Sequence, residues 1–60
     1  MDAVDASLEV YRCRKKLAAI LEEFIFPCDD SMYMLTDAME LLDDLQIIVD
    51  AKKKLSLNSF

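Results

Sequence analysis

A single proline interrupts a chain that contains no glycine. Pro27 lacks a backbone N–H and disfavours helical geometry in the residue before it, so a helix approaching it from the N-terminal side has to end there. On both sides of Pro27, apolar residues recur at helical spacing. The sequence therefore predicts an all-α fold with helices at about 3–26 and 31–54. We expect one domain, 1–60, whose last residues, 55–60, form a frayed C-terminal tail.

The apolar residues of both helices alternate in steps of three and four, which is typical of coiled-coil seams. The seam of the first helix consists of Ala3, Ala6, Val10, Cys13, Leu17, Ile20 and Phe24. The second helix carries one seam of Met34, Ala38, Leu41, Leu45 and Ile48, and beside it another of Leu35, Met39, Leu42 and Val49. Each apolar arc covers roughly half of its helix, whereas a surface helix needs a stripe only a little over 100° wide.

A connection of about four residues makes the two helices an antiparallel hairpin. We expect the seam of the first helix to face the one that begins at Met34, which leaves apolar surface for a second copy to cover in a homodimeric four-helix bundle. The residues expected in the hairpin core or dimer interface are Val10, Cys13, Leu17, Ile20, Phe24, Leu35, Leu42, Leu45, Ile48 and Val49. This architecture resembles, in shape alone, that of small plasmid-encoded RNA-binding hairpin dimers.

The short chain also favours dimerisation, because a 60-residue domain buries only about 60% of the surface that its unfolded form exposes. A disulfide is not expected to compensate, since a helix between Cys13 and Pro27 would hold the thiols of Cys13 and Cys28 roughly 20 Å apart. The chain has no histidine, so a zinc site would need carboxylates for half of its ligands. We therefore expect free thiols, no metal and no cofactor.

The charges are segregated along the chain, which has a net charge of −5. The bases cluster in 12–16 and 52–54, and seven acids with no base lie in 29–50. In a hairpin, the first basic cluster would lie beside this acidic stretch and the second beside Asp2 and Asp5. An acidic chain disfavours direct binding to nucleic acid and to anionic membranes. With no transmembrane segment and no positively charged leader at the N-terminus, we expect a cytoplasmic protein.

The sequence offers little for catalysis, because it has no histidine to act as general base and no glycine-rich loop to bind phosphate. We predict a non-enzymatic regulator or adaptor. Its predicted partner site comprises Asp37, Glu40 and Asp44, which surround Ile47 on a helical wheel, because an apolar residue among acids suits a protein partner with a basic surface. A regular helix spaces these carboxylates too widely for a tight Mg²⁺ or Ca²⁺ site.

The two cysteines are not expected to be reactive. Cys13 lies on the apolar seam of the first helix, where an inert thiol is the more common finding. Cys28 lies in the turn, and the negative charges of Asp29 and Asp30 beside it are expected to oppose formation of a thiolate.

Three other functions stay open. An accessory subunit of a larger helical assembly would have equally wide apolar arcs, and a phage or viral inhibitor that mimics nucleic-acid charge would also be acidic. The segment from Met39 to Asp43, followed by Leu45, resembles the Ser-Gln-x-Leu-Asp signature of small helical-hairpin aspartyl-phosphate phosphatases of sporulating bacteria. The Leu-Asp pair matches at Leu42 and Asp43, whereas Met39 and Glu40 occupy the Ser and Gln positions. This resemblance implies a hairpin phosphatase as the third alternative.

Overall fold

The protein forms an antiparallel hairpin of two helices, α1 (Ala3–Glu23) and α2 (Asp29–Leu57), in a computed structural model that describes residues 1–57, with side chains as far as Leu55. The helices pack along each other into a rod of 51 × 15 × 15 Å. Within the described residues there is no strand, so the predicted all-α hairpin is confirmed. Neither of the two helices is both long enough and apolar enough to span a membrane.

A local hydrogen bond lies at the start of each helix. The Asp2 carboxylate caps α1, because its Oδ1 accepts a hydrogen bond of 2.8 Å from the backbone N–H of Asp5. Cys28 directly precedes α2, and its carbonyl accepts a hydrogen bond of 2.7 Å from Ser31 Oγ. The negative charge of Asp29 in the first turn of α2 is favourable at the positive end of the helix dipole.

α1 ends three residues earlier than predicted. Phe24 has an extended backbone, with φ −89° and ψ 135°, and its N–H makes the last helical bond, to the carbonyl of Ile20. The ring of Phe24 packs edge-on against Phe26, with centroids 5.0 Å apart and an interplanar angle of 84°. Aromatic residues are weak helix formers, and this contact favours an extended connection. The helix therefore ends before it reaches Phe26, the residue whose backbone Pro27 restricts.

α2 is longer than predicted at both ends, because it begins two residues before position 31 and continues three residues past Lys54. The predicted frayed tail, 55–60, is therefore helical as far as Leu57. Residues 58–60, the rest of that tail, lie outside the described residues.

The residues between the two helices differ in part from those predicted: Val10, Leu17, Leu35, Leu42 and Val49 lie there, and other predicted residues do not. The observed seam is the line of residues along which α1 and α2 pack, and each of them is at least half-buried. These residues are Ala3, Ser7, Val10, Arg14, Leu17 and Leu21 of α1, and Met32, Leu35, Met39, Leu42, Gln46, Val49 and Lys53 of α2. Of the first-helix seam predicted to face α2, Cys13 and Ile20 are exposed, and so is Phe24 at the helix end. The predicted partner seam is also largely exposed, at Met34, Leu41, Leu45 and Ile48.

The hairpin therefore packs through the second of the two seams of α2, which contains Leu35, Leu42 and Val49. No hydrophobic side chain in the described part of the chain is fully buried, and the two buried residues there are Ser7 (7% exposed) and Gln46 (8% exposed). The helices thus turn toward a polar contact that apolar spacing does not reveal.

Candidate binding surfaces

A hydrogen-bonded cluster joins α1 to α2 near the open end of the hairpin. The side-chain nitrogen Nε2 of Gln46 lies 3.1 Å from the carbonyl oxygen of Ser7, 3.2 Å from Ser7 Oγ and 3.0 Å from Asp50 Oδ1. Ser7 Oγ also donates to Asp50 Oδ1, at 2.5 Å. Because the buried groups of this cluster satisfy one another, any slip of one helix along the other would leave a buried polar group without a partner.

Arg14 connects this cluster to the edge of the hairpin. Its Nη1 donates to Gln46 Oε1 at 3.3 Å, and its Nε and Nη2 lie 2.9 and 2.8 Å from one carboxylate oxygen of Asp43. We refer to Ser7, Arg14, Asp43, Gln46 and Asp50 as the polar network. Asp43, the acid of the phosphatase-like segment, is therefore an ion-pair partner in the hairpin.

The polar network shows how far the predicted charge pairing extends. Arg14 meets the acidic stretch of α2, but Arg12 pairs with Glu9 on its own helix, at 2.7 Å. Lys52 and Asp2 line one shallow cavity, yet within residues 1–57 no ion pair joins a lysine of 52–54 to Asp2 or Asp5.

The hydrogen bonds of the network lower the pKa of Asp50. The largest cause is the hydrogen bond from Ser7, followed by the one from Gln46, while Lys53 and Arg14 contribute smaller favourable charges. All of these groups stabilise the carboxylate rather than the protonated acid. The ionised form of Asp50 is therefore part of the folded hairpin.

The lowered pKa predicts that Asp50 contributes to acid unfolding. As the pH falls below about 4, the unfolded state takes up the proton first, because its carboxyl has the higher pKa. The stabilisation is thus present above the unfolded pKa and is lost as the pH falls through the folded one. In urea unfolding from pH 7 to 2, Asp50→Asn should lose less stability than the wild type does. Asp44→Asn, the same change at an exposed carboxyl outside the network, should follow the wild-type curve; equal slopes for all three proteins would contradict the prediction.

The predicted partner residues lie together on the outer side of α2. Asp37, Glu40, Asp44 and Ile47 are all exposed, and their spacing of three or four residues places them along one helix face. We refer to these four residues as the acidic surface. In the described part of the chain, both ion pairs involve other residues, so these carboxylates are not neutralised by contacts within the hairpin.

A second surface, on another side of the hairpin, is apolar. At 100° per residue, Cys13 and Ile20 lie on the side of α1 away from Tyr11 and Lys15, which line a groove with Asp43 of α2. The same geometry places the seam of α2 that begins at Met34 on the side of the hairpin that carries Cys13 and Ile20. We refer to these residues as the apolar face: Cys13, Ile20, Met34, Ala38, Leu41, Leu45 and Ile48. The two seams that were predicted to face each other therefore lie side by side.

The groove on the opposite side is mixed in character. Tyr11 and Ala18 lie in it beside Arg14 and Met39, and Lys15 places its Nζ 5.4 Å from the centre of the Tyr11 ring. A cation above an aromatic ring is weakly attractive at an exposed position. This contact covers part of the apolar surface of Tyr11 and leaves the groove less apolar than the opposite side.

The expectation for Cys28 requires a correction. The thiol lies 3.5 Å from Ser31 Oγ. Hydrogen bonding by the side chain and then the backbone of Ser31 lowers the pKa of Cys28, and the backbone of Asp30 lowers it further. Both cysteines are free and exposed. Within residues 1–57, no three Cys, Asp or Glu side chains are grouped so that they could hold a metal ion.

Apolar spacing missed Ser7 and Gln46, the two buried members of the polar network.

Comparison of the whole chain with family models, with curated proteins and with solved structures found no match.

Proposed function

We propose that this protein is a small non-enzymatic helical regulator or adaptor that binds a basic protein partner through its acidic surface. The observation that carries the proposal is the position of Ile47, which is 69% exposed and lies among three carboxylates on one helix face. An apolar anchor with a charged rim suits a partner whose own apolar contact is surrounded by lysine or arginine. The two free thiols are consistent with a reducing, cytoplasmic location.

The different surroundings of the acids on α2 support this proposal. Asp43 and Asp50 point toward α1 and are held by Arg14, Ser7 and Gln46, so they have a role in the fold. The carboxylates of the acidic surface have no such role, and closely spaced like charges on a helix are mildly destabilising. A cluster that costs stability without serving the hairpin is more readily explained by binding.

The proposal includes a homodimer with the form of a four-helix bundle. It is supported by the exposed apolar residues of the hairpin, since the described part contains no fully buried hydrophobic side chain. The same observation favours a second candidate, an accessory subunit of a larger helical assembly. Solution mass separates the two, because a subunit without its partners should aggregate or remain partly unfolded, whereas a homodimer should fold alone.

A defined basic ligand tests the acidic surface. We expect a fluorescent amphipathic helical peptide of leucine and lysine to bind the wild type, and Ile47→Asp to weaken that binding by about tenfold or more, because an apolar anchor is lost. Glu40→Lys should also weaken it, with a larger effect at low salt. Both residues lie well around α2 from the apolar face, so neither change should alter the oligomeric state.

The matched controls are Leu55→Asp, an apolar-to-acid change elsewhere on α2, and Glu22→Lys, a charge reversal on α1. Both should bind the peptide like the wild type. If all five proteins bind equally, peptide binding does not depend on the acidic surface and the proposal fails. A partner captured from the native cell should show the same ranking of variants.

A further inference from the structure

We infer that the apolar face is the docking site for a second copy of this chain, arranged so that α1 of each copy lies against α2 of the other. The inference deepens the proposed homodimer, on which it rests. Its charge argument shares Asp37 and Asp44 with the acidic surface, so its experiments change other residues. It names the interface and the order of helices within it.

The apolar face is a band of uncharged side chains, and Lys52 lies one turn beyond Ile48 at its end. On α2 it includes Leu41 and Ile48, which are 70% and 66% exposed, and on α1 it includes the exposed Ile20. Each large aliphatic side chain contributes roughly 1.5–3 kcal/mol when it moves from water into a packed interface. Such contiguous apolar surface is unusual for a stable monomer of this size.

The hairpin exposes enough surface for an interface with one additional copy. The chain has an accessible surface of 4892 Å². A compact monomer of 6.9 kDa would expose about 4000 Å². The excess, roughly 900 Å², reflects the elongated shape of the rod, which is 51 Å long and 15 Å wide, and it leaves room for a standard interface of about 800 Å² per partner. A two-fold dimer uses the same patch on both subunits, and the apolar face supplies that patch.

Net charge restricts which surface can contact its own copy. Each chain carries a net charge of −5, so two acidic surfaces would repel each other if they were brought together. The groove on the opposite side contains Arg14, Lys15 and Asp43, which would have to lose water on contact. Contact through the apolar face would remove fewer charged groups from water, so this face is the surface best suited to a second copy.

The order of charges along the two edges of the apolar face indicates how the helices stack. The contacts of Ser7 with Asp50 and of Arg14 with Asp43 fix which residues of α1 and α2 lie at the same height. By this measure, Lys52 lies level with the acids near the N-terminus of α1. The outer edge of α1 carries Asp5, Glu9, Arg12 and Lys16. On α2, Asp44 and Asp37 lie on the outer edge, and Lys52 lies at the end of the apolar face, at the height of Asp5.

These two edges lie on opposite sides of the apolar face, so they cannot meet within one hairpin. A two-fold axis parallel to the helices places α1 over the other copy's α2, with Lys52 near Asp5 and with Arg12 near the other copy's acids. Stacking α2 over α2 would instead bring the acids of Asp37 and Asp44 together. Exposed pairs contribute little energy each, so they select the arrangement while the apolar side chains supply the affinity.

Sedimentation equilibrium at tens of micromolar tests the docking site. The wild type should have twice the mass of the 6.9 kDa chain. Leu41→Glu should weaken dimerisation by about thirtyfold or more, because it places a charge in the centre of the interface. Leu8→Glu, the same change at an exposed position on the groove side, should leave the dimer intact. A monomeric wild type, or a dimer broken by the Leu8 change and not by the Leu41 change, would overturn the inference.

A cross-link tests the arrangement of helices without depending on the stability of a charged variant. In a Cys28→Ser background, Leu41→Cys introduces a thiol that should form, under mild oxidation, an intermolecular disulfide with Cys13 of the other copy. Peptide mapping of the covalent dimer identifies the linkage. A disulfide between the two introduced thiols, or a link confined to one chain, would overturn the α1-over-α2 arrangement.

The two proposals can fail separately. If the wild type is a monomer but still binds the basic peptide through Ile47, the docking inference fails and partner binding stands. If the dimer and its cross-link form as described while Ile47→Asp binds the peptide like the wild type, partner binding fails and the docking inference stands.

Discussion

The Leu42→Glu variant is expected to lose most of the helical circular dichroism of the wild type at 25 °C and neutral pH. Leu42 lies half-buried in the seam between α1 and α2. Removing a packed leucine costs about 2–5 kcal/mol, and placing a carboxylate there adds a desolvation penalty. Domains of this size have only a few kcal/mol of stability. The substitution should therefore unfold the hairpin and dissociate the dimer together.

Leu55→Glu provides the control for this prediction, because it places the same side chain at an exposed position of α2. It should retain wild-type helicity at the same protein concentration, which must be held constant because a dimer gains stability with concentration. If Leu42→Glu remained fully helical, the two helices would not be held together by the observed seam.

Replacing Gln46 by alanine should lower the free energy of unfolding by about 1–3 kcal/mol, as measured by urea denaturation. The change removes the donor to Ser7 and Asp50 and the acceptor for Nη1 of Arg14, and leaves a cavity between the helices. Buried polar groups that lose a partner pay the full desolvation cost.

Asp44→Ala is the matched comparison for Gln46→Ala, since it removes a polar side chain from the same helix outside the polar network. Its effect should remain within about 0.5 kcal/mol of the wild type. Similar stabilities for Gln46→Ala and the wild type would show that the network does not hold the hairpin.

The hairpin itself could be predicted from the sequence, because it depends on local properties. Pro27 separates two segments without glycine, and the apolar spacing on each side is helical. The choice of seam could not be predicted in this way. Each apolar arc spans about half of its helix, so neighbouring seams bury similar apolar area, and small polar contributions decide between them.

Those polar contributions come from residues far apart in the chain. Ser7 and Gln46 are 39 positions apart, and neither carries an apolar side chain that would mark it as part of a core. A signal is nevertheless present, because Arg14 follows Ser7 by seven residues, and Gln46 lies seven residues after Met39 and seven before Lys53. This heptad spacing identifies a seam that contains polar members.

The acidic surface was easier to predict than the polar network. Its residues are exposed because of their type and their spacing on one helix, so no contact with α1 had to be inferred. The early end of α1 was harder to predict than the acidic surface and easier than the polar network. It involves a contact between near neighbours, Phe24 and Phe26, but the sequence does not specify the geometry of that contact.

The hydrogen bond between Ser7 and Asp50 closes a loop of 43 positions at the open end of the hairpin, far from the turn. Loop-closure entropy rises with the number of residues enclosed, so pairing should start beside the turn and proceed toward the chain ends. In most hairpins the open end would then exchange its amide hydrogens first. Here the hydrogen-bonded cluster of Ser7, Gln46 and Asp50 stabilises the open end. Slow exchange of the amide hydrogens near Ser7 and Gln46 would therefore report the opening of the whole hairpin rather than local fraying.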